Sequence, residues 1–219
     1  MKLVLIGSLS VFAFGQMAFA TPELNLVSGA DNVVVTGTGG TVSYSNASFN
    51  GWVIDVVFGS SFSPGLVPYG IDITSLTATC IVGSACSANP LDIYLSDTGF
   101  TTVVPAGAFK SDYSSTQTGG TTQQWAWDDT TNTIFGKGTS IGTVGPFSGT
   151  DSGSVMGGGP AGPAAYSLTI EDVFTSGVSG ASFSTDGNIS STVPEPGAII
   201  LLGTVLAFCS RKLRRPQLS

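Results

Sequence analysis

Leu91-Asp92-Ile93-Tyr94-Leu95 puts its apolar residues at 91, 93 and 95, a period of two. Successive side chains of an extended chain leave on opposite sides, so this pattern buries one face of a strand and wets the other. Tyr166-Ser167-Leu168-Thr169-Ile170 repeats it, with 166, 168 and 170 on one face. Trp52 to Phe58 is denser in apolar residues around Asp55 and reads as an inner strand. Ile71 to Ile81 alternates with one slip near Ser75-Leu76, the mark of a bulge. Turn formers separate these runs at Gly37 to Gly40, Pro64-Gly65, Asn89-Pro90, Gly119-Gly120 and Gly157 to Gly162. No window between residues 21 and 189 carries a helical stripe. Short strands between frequent turns predict an all-β domain over 21–189, an antiparallel β-sandwich or jelly roll.

The two ends have a different character. Lys2, an apolar run from Leu3 to Phe14 and the small-x-small triplet Ala18-Phe19-Ala20 make a signal peptide over 1–20. Signal peptidase is then a processing partner, and the mature chain begins at Thr21. At the other end, Ser190 to Val193 reads as a short polar linker. Val193-Pro194-Glu195-Pro196 follows, then an apolar stretch from Gly197 to Phe208 and a basic cluster of Arg211, Lys212, Arg214 and Arg215. As a helix, Gly197 to Ser210 spans about 21 Å at 1.5 Å per residue, short of a ~30 Å hydrocarbon core. Basic residues beside such a segment resist translocation and stay cytoplasmic, so residues 21–193 lie outside that membrane. The two prolines cannot continue a helix and present an extended segment at the membrane face.

In its order, position and charge, this tail resembles the PEP-CTERM sorting signal, and the resemblance covers residues 193–215, within a C-terminal unit of 190–219. It implies a Gram-negative bacterial surface protein with a β-rich ectodomain. It also implies a short C-terminal membrane helix held before processing, cleavage by an exosortase, and release to the cell surface or an extracellular polysaccharide matrix. Leu91 to Phe100 also looks like a strand-turn phrase of such ectodomains.

Charge divides along the same boundaries. Outside the terminal signals only Lys110 and Lys137 are basic, against thirteen carboxylates, a balance of −11. Such a domain repels nucleic acid, which needs Lys and Arg to displace counterions. Cys80 and Cys86 lie in the exported part, where disulfides persist, and flank a five-residue turn that a bridge would close. Cys209 sits at the membrane end of the tail.

Catalytic signatures are scarce. The chain has no histidine, which excludes Ser-His-Asp and Cys-His mechanisms. Gly149-Thr150-Asp151-Ser152-Gly153 therefore reads as a turn, and Gly157, Gly159 and Gly162 as a loop that implies no nucleotide cofactor. Asp128-Asp129 and Glu171-Asp172 are adjacent pairs that point to opposite faces of a strand and cannot straddle one glycosidic bond. Asp128-Asp129-Thr130-Thr131-Asn132 offers hard oxygens for calcium without EF-hand spacing, which leaves metal binding open.

Trp125 and Trp127 face the same way at i and i+2. Core burial is the usual fate of such rings and would turn Gln124 and Ala126 outward. The other reading makes them a sugar-stacking platform, with Gln123 and Asp128 supplying hydrogen bonds. The expectation is an exported surface or matrix protein with a structural or interaction role and no catalysis. The alternative is a secreted carbohydrate-binding module or a carboxylate-based glycosidase, and extracellular polysaccharide is the partner to test.

Overall fold

The computed structural model describes residues 20–63, 69–81, 86, 88–192 and 204. Twelve strands follow in order: β1 (Glu23–Ser28), β2 (Asp31–Thr36), β3 (Thr41–Phe49), β4 (Trp52–Ser61), β5 (Tyr69–Cys80), β6 (Leu91–Phe100), β7 (Phe109–Thr118), β8 (Gly120–Asp129), β9 (Thr139–Phe147), β10 (Thr150–Gly157), β11 (Tyr166–Ser176) and β12 (Ser182–Ser191). They form two six-stranded antiparallel sheets. Sheet A has the order β2-β1-β6-β11-β8-β9, and sheet B has β10-β7-β12-β5-β4-β3. From β5 onward successive strands cross between sheets, apart from the β8–β9 hairpin, so that β10-β7-β12-β5 faces β6-β11-β8-β9. That is the eight-stranded jelly-roll order. The hairpins β1-β2 and β3-β4 widen the sandwich at one side.

The period-two runs land where alternation requires. Leu91, Ile93 and Leu95 of β6 and Leu168 and Ile170 of β11 point inward. Trp52, Ile54, Ile71 and Ile73 meet them from sheet B, with Trp52 against Phe183 at 5.6 Å. Ser75 adopts φ 57° where the β5–β12 register slips between Ile73 and Leu76, the bulge expected there. β4 also slips near Ile54, which is how Ile54 and Val57 are both buried while Asp55 is exposed. Cys80, closing β5, is bonded to Cys86 with Cα atoms 5.6 Å apart.

Under β7, β8, β11 and β12 the interior turns polar. Ser111 Oγ donates to Gln124 Oε1 at 2.7 Å, and Gln124 Nε2 donates to Asp172 Oδ1 at 3.2 Å, all three buried. Gly187 makes room, since a Cβ there would collide with Gln124 Nε2. Burial, partly countered by Gln124 and reinforced by Asp186 and Glu171, pushes Asp172 up to about 7.

Three local expectations need adjustment. Ser190 and Ser191 complete β12, and Thr192 N–H donates to Ala108 O, so the ordered sandwich continues past the expected start of the linker. Gly149 is at a turn, but Thr150 to Gly153 pair with β7 as edge strand β10. Leu91 to Phe100 is one continuous strand. Among the described residues no helix is long and apolar enough to cross a membrane. The signal-peptide residues through Ala18 and Phe19, the Val193-Pro194-Glu195-Pro196 motif and the Arg211, Lys212, Arg214 and Arg215 cluster lie outside the described residues.

Candidate functional site: an aromatic face on sheet A

Residues of β8 alternate with Gln124, Ala126 and Asp128 inward and Gln123, Trp125 and Trp127 outward. The core reading of the tryptophans is thereby reversed. Gln124 can face inward because Ser111 and Asp172 satisfy its amide, so burial of this strand does not depend on its aromatic residues. Trp125 is 37% exposed and Trp127 is half-buried; their rings are parallel to within 5° with centroids 6.2 Å apart.

Register places their neighbours. Trp125 pairs with Glu171 of β11, Glu171 with Tyr94 of β6, and Tyr94 with Asn25 of β1. The row thus crosses four strands at about 4.8 Å per step, setting the Trp125 and Tyr94 backbones about 10 Å apart across the sheet. Between them, Tyr94 OH donates to Glu171 Oε1 and Lys137 Nζ to Glu171 Oε2, each at 2.7 Å. Lys137 Nζ also lies 4.4 Å from the Trp127 ring centroid and 4.9 Å from that of Tyr94. Such cation–π contacts are worth ~0.5–2 kcal/mol according to their desolvation. The Glu171 side chain is only 12% exposed while that of Lys137 is 42% exposed, so solvent screens this ion pair from the lysine side.

The segment 130–138, between β8 and β9, folds back over the sheet and walls one side of this face. Asn132 Oδ1 accepts from Gly99 N–H, Ser96 Oγ accepts from Phe135 N–H, and Ser167 Oγ donates to Thr133 O. Phe135 meets Tyr94 edge-on at 6.3 Å. Asn132 and Phe135 have φ values of 57° and 56°, left-handed positions that non-glycine residues adopt at a cost of about 1–3 kcal/mol each. The hydrogen bonds to the sheet hold that strained path and aim Lys137 over the rings. Sequence reasoning missed Tyr94, Glu171 and Lys137. The parity of Tyr94 and Glu171 on their strands was readable; the cross-strand register that joins them to Trp125 was not.

Electrostatics on this face follow burial. Desolvation raises Asp92, with Glu171 adding to the rise and Lys137 opposing it. Tyr94 is raised by desolvation first and then by its bond to Glu171, and it stays a phenol. Asp128, expected to assist the tryptophans, is buried on the other side and accepts from Gly159 N–H. Asp129 accepts from Thr131 N–H and Oγ1–H and is lowered mainly by that hydroxyl. The two carboxylates diverge, and among the described residues no cluster of three His, Cys, Asp or Glu side chains could hold a metal.

Sheet B presents another kind of surface. Ser114, Thr116, Thr150, Ser152, Ser184 and Asp186 line an open groove of about 710 Å³. No aromatic ring lines it.

No protein-family model matches the chain, and no curated protein matches it. Among solved structures it is similar to the enzymatically active domain of tailspike protein 4 of bacteriophage CBA120. Identity is 14% and the TM-score 0.34, over 68% of this chain and 19% of that one, so the likeness spans about a fifth of the tailspike domain. TmCBM61, solved in complex with β-1,4-galactotriose, is 8% identical with TM-score 0.32, over 77% of this chain and 88% of that one. The N-terminal cellulose-binding domain of Cellulomonas fimi β-1,4-glucanase C is 14% identical with TM-score 0.32, over 73% and 93% respectively. Likenesses this distant identify no ligand for the present chain.

Proposed function

We propose that the chain is an exported, exosortase-sorted protein whose jelly roll contacts extracellular polysaccharide through the outer face of sheet A, without catalysing a reaction on it. One observation carries the polysaccharide contact: two parallel indoles point outward from a central stretch of β8 beside a built Lys137–Glu171–Tyr94 cluster. Indoles bury more apolar area than other side chains, and leaving one wet forgoes that gain. A pyranose ring offers an apolar C–H face to stack on them and hydroxyls for the polar groups alongside. Both Glu171 oxygens are held by hydrogen bonds, which suits a positioned acceptor.

Export and sorting rest on the terminal sequences. In the proposed order, signal peptidase cuts after Ala20, the Gly197–Ser210 segment holds the chain in the membrane, and an exosortase acts near Val193-Pro194-Glu195-Pro196. Intact mass of material recovered from the cell surface tests this part. A chain starting at Thr21 and lacking Arg211 to Arg215 is expected; recovery of that cluster in surface protein would replace sorting with a permanent anchor.

Tryptophan emission of the mature protein, titrated with neutral and acidic polysaccharides, tests the contact. A change that saturates with one polymer and disappears in the double variant Trp125→Ala/Trp127→Ala is expected. Unchanged emission with every polymer would leave sheet A a passive surface.

A further inference from the structure

Four strands stand at sheet edges, β2 and β9 in sheet A and β10 and β3 in sheet B. An edge strand leaves a row of backbone N–H and C=O groups open to another chain, so folds bend, break or cover it. β9 carries Pro146 and slips twice against β8, and β3 slips twice against β4. β10 lies against β9: Gly158 N–H, just past its end, donates to Ser140 O at 3.2 Å, and a Cβ on Gly157 would collide with Ile141 O. β2 has none of these devices. Asp31-Asn32-Val33-Val34-Val35-Thr36 makes an unbroken ladder with β1, contains no glycine, proline or lysine, and leaves Val34 54% exposed. Among the described residues no strand pairs with its outer side.

The turn before β2 decides which groups face outward. Ser28 and Asp31 close a two-residue hairpin with Gly29 at φ 59°, so they form a hydrogen-bonded pair. Bonded pairs then alternate along the hairpin, at Leu26–Val33 and Leu24–Val35. The N–H and C=O groups of Asn32, Val34 and Thr36 therefore point away from β1. We propose that this edge docks the β2 strand of a second copy of the chain, antiparallel about a twofold axis through Val34. Val34 then faces Val34, and Asn32 faces Thr36 on either side. Each of these pairs exchanges two N–H···O bonds, made from the groups that β1 leaves free.

The strand is self-complementary in parity and in charge. Opposite residues share a face of the sheet, so Val34 meets its copy on the outer face. Val33 meets Val35 on the inner face, where both already pack against the core. Asp31 is the only charge on β2, and the twofold sets its two copies about 20 Å apart at 3.4 Å per residue, beyond the ~8 Å screening length of physiological salt. The pairing uses the same edge of both copies, so it closes at two chains. It does not depend on what sheet A binds, and each pair of chains carries two aromatic faces.

Sedimentation equilibrium of the mature protein tests this, beside Val34→Lys, which sets two ammonium groups opposite each other, and Val34→Thr, which keeps a neutral β-branched side chain. The mass of the unaltered protein and of Val34→Thr should rise with concentration from one chain toward two. Val34→Lys should stay at one chain, with the urea midpoint of the dilute unaltered protein, because the side chain is exposed. Cysteine variants read the register. Opposite Cα atoms of a bonded pair lie ~5.5 Å apart, within disulfide reach, so oxidation should join two copies of Val34→Cys through residue 34. Asn32→Cys should not link to its own copy, which lies four residues or ~14 Å along the strand. A single-chain mass at every concentration, a mass passing two chains, dimers that persist in Val34→Lys, or equal linkage at 32 and 34 would each overturn the proposal. These masses are read without polysaccharide, which keeps the result separate from the function of sheet A.

Discussion

Sheet A and sheet B each turn alternate residues outward, yet one outer face carries Trp125, Trp127 and Tyr94 around an ion pair and the other carries Ser114, Thr116, Ser152 and Ser184. Hydroxyls on a solvated sheet need no further explanation, because water satisfies them and threonine favours strands. Parallel indoles held beside a strained loop do need one. The open groove lies on sheet B, but concavity without anchoring groups offers little affinity, whereas a flatter face with aromatic anchors offers it directly. Site chemistry therefore outweighs concavity here.

The largest expected contrast is between tryptophans. Trp52 is fully buried against Phe183, and Trp52→Ala should cost about 3–5 kcal/mol in urea unfolding. Trp125→Ala should cost less than about 1 kcal/mol in the same measurement, the usual range for a partly exposed position. Comparable losses would mean that Trp125 serves packing, and the difference between the faces would collapse.

Beneath the aromatic face, Asp172 offers the next effect. Its pKa is raised to about 7 mainly by burial, so the native state holds a proton that the unfolded chain has released. Stability should therefore be greatest below the unfolded value near 3.8 and fall as pH rises toward about 7. Asp172→Asn keeps an oxygen for Gln124 Nε2 and should gain roughly 2–4 kcal/mol at pH 8 while flattening that dependence. Urea midpoints across pH 4 to 8 check both.

Glu171→Gln removes the charge and one of the two oxygens that accept from Tyr94 and Lys137, and it should cost roughly 1–3 kcal/mol, with weaker polysaccharide retention. On sheet B, Ser114→Ala should change stability by less than about 0.5 kcal/mol and leave retention unaltered. Asp72 gives that face a small pH dependence of its own. Desolvation and then Asp186 raise it to about 6, so its contribution is lost as pH rises from about 4 to 6, and Asp72→Asn should remove that slope.

Much of the architecture was legible because Leu91 to Leu95 and Tyr166 to Ile170 follow one period with few interruptions. Even the irregularity at Ser75 was readable, since a bulge shifts the parity of the apolar residues. The site was legible only as a pair of residues. β8 alternates Gln124-Trp125-Ala126-Trp127-Asp128, and hydropathy alone assigns the indoles to the core. Gln124 faces inward because Ser111, Asp172 and the missing side chain of Gly187 receive it, and all three come from other strands. The same holds for Lys137, whose place over Trp127 depends on a loop pinned by Gly99, Ser96 and Ser167.

Affinity electrophoresis through gels containing extracellular polysaccharide tests the central claim most directly, with Trp125→Ala, Trp127→Ala and Ser114→Ala run beside the unaltered mature protein. Outward indoles as the contact predict retardation of the unaltered protein and of Ser114→Ala, and its loss in both tryptophan variants while their urea midpoints stay close to the original. Retardation that survives both tryptophan changes, or that Ser114→Ala alone abolishes, would contradict the account and move the contact to the groove of sheet B.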